Sequence, residues 1–504
     1  SPVPADVRQL MFKVKKKQGT DIARSFDGLN NPQNLELSFQ YAKEGGMVAQ
    51  GALSITHSPV HTVDYYINLA DQYIERGAEE ICIKDMAGIG RPVSIGKMVK
   101  GIKERHPNVL VQYHGHSTPG FSVASSLEAA RAGADIIDVG MEPLSWGTGH
   151  ADLLTIHAML KDAGFSLPEI NTDAYMAARA LSQEFIDDFL GYYINPQNRY
   201  MNSLLIGPGL PGGMMGSLMA DLERNLKSLN KWLQKNNQPT VTQEQLLLKL
   251  FTEVEYAWPK LGYPPLVTPF SQYVKNVALM NAINLMKGKE RWAMIDENTW
   301  GMILGKSGQL LGDLGDEIKK MAAKQGREFY TGTPQDLYPD ALEDYRQKMV
   351  EKQWELGEDE EELLEYAMHP SQYEAYKSGQ AKAQFEADLA KRKAAQAPTA
   401  TPSTPTAAPA AISQPKELTV TVDGRAYKVG IEYGDSSSSK NETPASAPAP
   451  APASSDHKLA TITAPLEGKF LLTKDSAERA IQVGDQLAVG DKVAYIESMK
   501  VINA

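Results

Sequence analysis

Ile81-Cys-Ile-Lys-Asp-Met-Ala-Gly88 decides the fold. A short apolar run that ends in a charged pair and then a glycine reads as a strand buried on both faces, the kind that parallel sheets carry. Moving outward, Val63 to Arg76 before it and Ser94 to Arg105 after it place apolar residues at helical spacing. The same alternation repeats. Strands are expected at Asp21 to Phe26, Val48 to Ile55, Glu80 to Lys84, Val109 to His114 and Asp135 to Val139, with further helices at Leu35 to Glu44 and Ala124 to Ala132. Gly45-Gly46, Gly77, Pro107 and Gly133 fall where those helices should stop. A repeat of about 25 to 30 residues predicts an α/β fold of the TIM-type (β/α) barrel class, with a doubly wound open sheet as the alternative on pattern alone. Only five of the eight strands of such a barrel are evident.

The alternation stops near residue 165, and the chain to 395 reads as helical, becoming rich in Glu, Lys, Gln and Ala. Composition then shifts to Ala, Pro, Ser and Thr over 396–416 and again over 434–457. Such segments bury no core and act as tethers. Between them, 417–433 alternates apolar residues around Asp423-Gly424, a hairpin signal. Residues 458–504 return to short strands with Gly468, Gly484 and Gly490 at turns. The expected organisation is a partial barrel over 1–164, a helical domain over 165–395, and a small β module at 458–504 on a long leash.

With a formal charge of −11, the chain offers no basic surface for nucleic acid, and Lys15, Lys16 and Lys17 read as a solvated helix face. No stretch reaches the ~20 apolar residues of a membrane span. The single cysteine, Cys82, makes no internal disulfide. A cytoplasmic protein is therefore expected.

Residues two apart on a strand point the same way, so His114 and His116 in Tyr113-His-Gly-His-Ser-Thr-Pro-Gly120 can aim two imidazoles at one point. Spacing alone leaves open a metal role and a pair of ordinary polar residues at a strand end. His57, His61 and His150 also follow strands and read as surface or hydrogen-bonded histidines. Lys84 ends a buried run, where a lysine is either extended to solvent or used. An amine with a lowered pKa can take up carbon dioxide as a carbamate, an anionic oxygen ligand. Lys84, His114, His116 and Asp138 all stand at C-terminal strand ends, where barrel enzymes build their sites. Finally, Tyr495-Ile-Glu-Ser-Met-Lys500-Val-Ile puts a lysine on a leashed module, suited to carrying a covalent group between distant sites.

Asp21-Ile-Ala-Arg-Ser-Phe-Asp-Gly-Leu-Asn30, Ser58-Pro-Val-His-Thr62, Ile83-Lys-Asp-Met-Ala-Gly88, His114-Gly-His-Ser-Thr118, Pro211-Gly-Gly-Met214, Pro265-Leu-Val-Thr-Pro269 and Glu497-Ser-Met-Lys500 resemble, in order, the blocks of the biotin-dependent carboxyltransferase family of pyruvate carboxylase, transcarboxylase and oxaloacetate decarboxylase. The resemblance implies Lys84 as a carbamylated metal ligand (carboxylysine), His114 and His116 as further ligands of a divalent ion, with zinc expected, Thr118 as a proton carrier and Met86 in the pocket. It implies biotin on Lys500 of a biotinyl carrier domain. The leading expectation is the alpha subunit of an oxaloacetate decarboxylase. The alternatives are the B-type subunit of a two-chain, ATP-dependent pyruvate carboxylase and a non-catalytic scaffold presenting a biotin carrier. Implied partners are oxaloacetate and pyruvate, a biotin protein ligase, further copies of the chain, and either membrane decarboxylase subunits, which would hold it at the inner membrane, or a separate biotin carboxylase subunit. The family barrel has three strands before the one matched by Asp21 to Phe26, the first bearing an arginine-aspartate motif whose aspartate is the remaining ligand. Residues 1–20 offer only a helix, Ala5 to Gln18, and the biotinyl fold needs strands beyond Ala504, so the sequence reads as truncated at both ends.

Overall fold

A computed structural model of the chain describes residues 3–396 and, as strand backbone, 417–422, 425–430, 469–471, 495–498 and 501–503. Ser1–Ala397 form one compact unit and Pro398–Ala504 another. In the first, helix α1 (Ala5–Lys17) precedes β1 (Ile22–Phe26), α2 (Pro32–Glu44), β2 (Val48–Ser54), α3 (Val63–Glu75), β3 (Glu80–Asp85), α4 (Pro92–Arg105), β4 (Leu110–Gly115), α5 (Ser122–Arg131) and β5 (Ile136–Ile137). All five strands are parallel, in the spatial order β1-β2-β3-β4-β5. The expected α/β architecture is present, and its elements lie within a few residues of where the sequence places them. The strand β5 is shorter than expected. Its pairing with β4 covers only Gln112↔Ile136 and Tyr113↔Ile137 before the chain turns into a loop.

The caps explain the helix starts. Asn31, Thr62 and Asp152 accept from the backbone N–H groups of Gln33, Tyr65 and Leu154, meeting donors that the first turn of α2, of α3 and of α6 (Leu153–Asp162) leaves unpaired. The apolar faces of α2 to α5 close over the sheet, where Phe39, Tyr66, Tyr73, Ile81, Ile83, Ile95, Ile102 and Tyr113 are buried in one core. Gly51 in β2 has no room for a side chain: a Cβ there would overlap the Tyr73 ring.

A helical layer follows, with α7 (Thr172–Asp188), α8 (Met215–Lys235), α9 (Gln243–Lys260), α10 (Phe270–Met286), α11 (Glu297–Ile303) and α12 (Asp316–Lys324). Leu222, Leu229, Leu246, Leu250, Val254, Val274 and Trp300 form its core. Phe270 of α10 lies against Gly28 in the turn after β1, at a spacing only glycine permits. A third core joins Val7, Leu10 and Val14 of α1 to Leu363, Leu364 and Tyr366, so the first helix packs on a late one. Among the described residues no helix is long and apolar enough to cross a membrane.

In the second unit, β6 (Glu417–Val422) and β7 (Arg425–Gly430) pair antiparallel, as do β8 (Lys469–Leu471) with β9 (Tyr495–Ser498) and β9 with β10 (Val501–Asn503). The pairing Val501↔Ser498 brackets in sequence Met499 and Lys500. The expected biotin lysine, Lys500, lies outside the described residues, as do the two tethers and the turn Asp423-Gly424.

Candidate active site

The strands β3 and β4 are in register with Lys84 beside His114, so both side chains leave the same face of the sheet at its C-terminal end. The ladder continues past β4, because His116 N–H donates to the Asp85 carbonyl at 3.0 Å. His116 also forms an antiparallel bridge with His150, on the loop between β5 and α6. Three imidazoles meet there. Their ring centroids are 5.2 Å (His114 to His116), 4.3 Å (His114 to His150) and 4.5 Å (His116 to His150) apart, and one ring nitrogen from each lies within 4.8 Å of the other two.

Each ring is held from behind. His114 Nδ1–H donates to Asp138 Oδ2 at 2.6 Å, His116 Nδ1–H to the Thr148 carbonyl at 2.6 Å and His150 Nδ1–H to the Gly115 carbonyl at 2.9 Å. A carbonyl oxygen only accepts, so the proton of His116 and of His150 sits on Nδ1 and the lone pair on Nε2. None of the three Nε2 atoms has a hydrogen-bond partner among the described residues. Burial pushes His116 down to about 4, against the pull of the Thr148 carbonyl, and also lowers His150, with the charge of His114 adding to it. Both rings are therefore neutral at pH 7. Neutral imidazoles with free Nε2 lone pairs, each oriented by a carbonyl or carboxylate on the other nitrogen, are what a borderline divalent cation such as zinc requires. The donor set fits the cation that the resemblance implies.

Beneath the histidines runs a polar layer with one residue from each strand or its end. Arg24 donates through Nε to Gln50 Oε1 (2.6 Å) and through Nη1 to Asp138 Oδ2 (2.8 Å). Gln50 Nε2 reaches Glu80 and Gln112 (2.9 Å each), and Gln112 Nε2 donates to Asp138 Oδ1. Asp138 thus receives three donors. Against the upward pull of burial, the hydrogen bonds from His114 and Arg24 hold its carboxylate well below the usual range. Lys84 Nζ lies 3.7 Å from the centre of the Phe26 ring, and burial lowers its pKa, with the Arg24 charge acting in the same direction.

The structure therefore brings Lys84, His114 and His116 to one end of the sheet. Met86 follows Lys84 by two residues and is half-buried. Thr118 is only 1% exposed, and its hydroxyl has no hydrogen-bond partner among the described residues. It packs on Gly212, where a Cβ would overlap it. His61, read from sequence as a surface or hydrogen-bonded histidine, is the second of these: it is 3% exposed and pairs with Ser58 Oγ at 2.7 Å. Sequence reading missed His150 as a member of the cluster, and Arg24, Gln50 and Gln112. The available signal was a set of polar residues interrupting strands that are otherwise apolar. A cavity of about 530 Å³ lies between His57, Ser58, Trp258 and Tyr263, and none of the three clustered histidines lines it.

Two family models match the chain: HMGL-like over residues 30–181 and a conserved carboxylase domain over 209–430. The B-type subunit of pyruvate carboxylase from Methanocaldococcus jannaschii is 29% identical over 512 residues, which take in 99% of this chain and 78% of that protein. The chain belongs to the biotin-dependent carboxyltransferase family. The methylmalonyl-CoA carboxyltransferase 5S subunit of Propionibacterium freudenreichii subsp. shermanii is 29% identical over 356 residues, 70% of this chain and 65% of that one. Among solved structures, the carboxyl transferase domain of Rhizobium etli pyruvate carboxylase with pyruvate and biocytin superposes with a TM-score of 0.60 at 24% identity. That match covers 75% of this chain and 63% of the solved one, and at this identity the likeness is one of fold. This carboxyltransferase is thus an enzyme whose parallel sheet is of the barrel type its relatives share.

Proposed function

We propose that this carboxyltransferase is the transferase and carrier subunit of a two-chain pyruvate carboxylase, moving a carboxyl group between biotin on Lys500 and pyruvate. The observation that carries this reading is the match along 99% of the chain to a B-type pyruvate carboxylase subunit. The relatives are carboxylase and carboxyltransferase subunits, which favours the two-chain carboxylase over the decarboxylase alpha subunit expected first.

In this reading His114, His116 and Lys84, the last as its carbamate, hold a divalent cation. When bound, that cation supplies Lewis acidity to the carbonyl oxygen of an oxo acid, and biotin supplies the ureido nitrogen on which the carboxyl group travels. The residues of the chain do the rest. Asp138 fixes the tautomer and direction of His114. Arg24 has Nη2 without a partner among the described residues and stands 3.2 Å from His114, so its guanidinium can take the carboxylate of the oxo acid. Phe26 and Met86 keep the strand ends apolar, which slows quenching of an enolate by water. Thr118 keeps the proton-carrying role that the resemblance implies, and a buried hydroxyl without a partner among the described residues is consistent with it.

The test is cofactor dependence. With a separate biotin carboxylase subunit added, pyruvate carboxylation is expected to require ATP and bicarbonate. Rapid ATP-independent decarboxylation of oxaloacetate on addition of membrane subunits would return the decarboxylase reading.

A further inference from the structure

The resemblance supplies two histidines, Lys84 and an aspartate from a strand that the described residues do not include. The geometry points to one ligand more: we infer that His150 is a third histidine ligand of the cation, beside His114 and His116. The inference rests on the cation site proposed above and adds one residue to it.

Several independent contacts prepare His150 for this. Its backbone is bridged to that of His116, which places the two side chains next to each other on one face. Its Nδ1 is committed to the Gly115 carbonyl, one residue beyond His114, so the ring is anchored to the strand that carries the other two ligands. Its ring lies 4.3 Å from that of His114 and 4.5 Å from that of His116, and its Nε2 has no hydrogen-bond partner among the described residues. The loop that carries it is tied down on all sides. Ser117 N–H donates to the Gly149 carbonyl (2.8 Å), Trp146 N–H to the His150 carbonyl (2.7 Å), Gly140 N–H to the Ala151 carbonyl (2.8 Å) and Thr148 N–H to the Asn198 carbonyl (2.9 Å). Gly149 admits no side chain, since a Cβ there would come within 2.8 Å of the Leu144 carbonyl oxygen.

A histidine serving only to hold the loop would need its Nδ1 bond and no more. It would have no reason to stand in a cluster of three imidazoles whose remaining nitrogens have no hydrogen-bond partner among the described residues. With one nitrogen of each ring already within 4.8 Å of the other two, only a contraction of the cluster separates them from imidazole–zinc bonds of ~2.0–2.1 Å. The three imidazoles are neutral, so the charge of the cation is balanced by the Lys84 carbamate of the reading above and, from behind, by Asp138. Arg24 alongside adds positive charge at the open face, which favours an anionic oxo acid.

The experiment uses the full chain, stripped of metal by chelation and titrated with Co²⁺, for wild type, His114→Ala, His150→Ala and His150→Cys, with circular dichroism confirming the fold of each. Wild type should bind one equivalent. His150→Ala should bind about 100-fold more weakly or worse, beyond the 10–100-fold that disturbing an outer partner produces, and should change the cobalt ligand-field spectrum. His150→Cys should recover binding and gain a thiolate-to-cobalt charge-transfer band, which wild type lacks because Cys82 is buried in the sheet. If His150→Ala keeps wild-type affinity and spectrum while His114→Ala loses the ion, the inference is overturned and the two-histidine reading stands. A His150→Cys protein loaded with cobalt but without the band also overturns it. A wild-type chain that binds no cobalt removes both readings together.

Discussion

Asp138→Asn is the most informative single change, because all three groups around this carboxylate are donors. Gln112 Nε2 reaches Oδ1, while His114 Nδ1–H and Arg24 Nη1 share Oδ2. Asparagine has one acceptor oxygen and one donor nitrogen, so in either orientation its NH₂ meets at least one N–H. Turning the Gln112 amide to relieve this would break its own bond from Gln50 Nε2. One half-buried donor is therefore left unsatisfied, which costs about 1–3 kcal/mol of folding free energy at pH 7. Loosening the partner of a metal-binding histidine should weaken cation affinity by about 10–100-fold, roughly 1.4–2.8 kcal/mol. The sign with pH is fixed by the depressed pKa of Asp138. Its contribution is complete above the ordinary carboxylate value of about 3.9 and is lost as pH falls towards the folded value, so the gap between wild type and variant should close only in strong acid. Competition titration against a chromophoric chelator and urea unfolding at several pH values measure the two effects. A variant with wild-type affinity and stability at pH 7 would refute the claim that this carboxylate organises the site.

Further outcomes can be checked with less effort. Burial pushes His61 down to about 3, below the unfolded value of about 6.5, so the unfolded chain binds more protons between these values and His61 destabilises the fold increasingly as pH falls. The unfolding free energy of wild type relative to His61→Gln should fall by about 1.4 kcal/mol per pH unit from pH 6 to pH 4 in urea melts, and a constant difference would contradict the assignment. If Lys84 is carbamylated, ¹³C NMR of the protein in ¹³C-bicarbonate should show a carbamate resonance that Lys84→Arg lacks, together with weaker metal binding in that variant. Lys500→Arg should abolish streptavidin detection and carboxyl transfer while leaving metal content unchanged; continued transfer would exclude Lys500 as the carrier. Thr118→Val should reduce kcat by about 100-fold or more at unchanged metal content if the hydroxyl relays a proton, and a kcat within about threefold of wild type would confine Thr118 to packing on Gly212.

The parallel sheet was legible in the sequence because strands covered on both faces carry short apolar runs, as at Ile81-Cys-Ile83, and because glycines such as Gly77 and Gly133 take the positive φ that follows a helix. His114 and His116 were legible for a local reason, the two-residue period of a strand. His150 was not, since its place in the cluster depends on a bridge to His116 that joins residues 34 apart in sequence. The same holds for Arg24, Gln50 and Gln112, whose significance appears only when registers such as Arg24↔Gln50 and Cys82↔Gln112 line them up across the sheet. Within the helical layer, sequence showed helices but not which faces meet. The contact of Phe270 with Gly28 is set by tertiary packing and leaves no periodic trace.

The most direct test of the cation site is crystallography of the full chain, purified without chelator, with diffraction data collected on both sides of the zinc absorption edge. The account predicts one anomalous peak at coordination distance from Nε2 of His114 and Nε2 of His116. Metal-replete crystals with no peak between those two rings would contradict it.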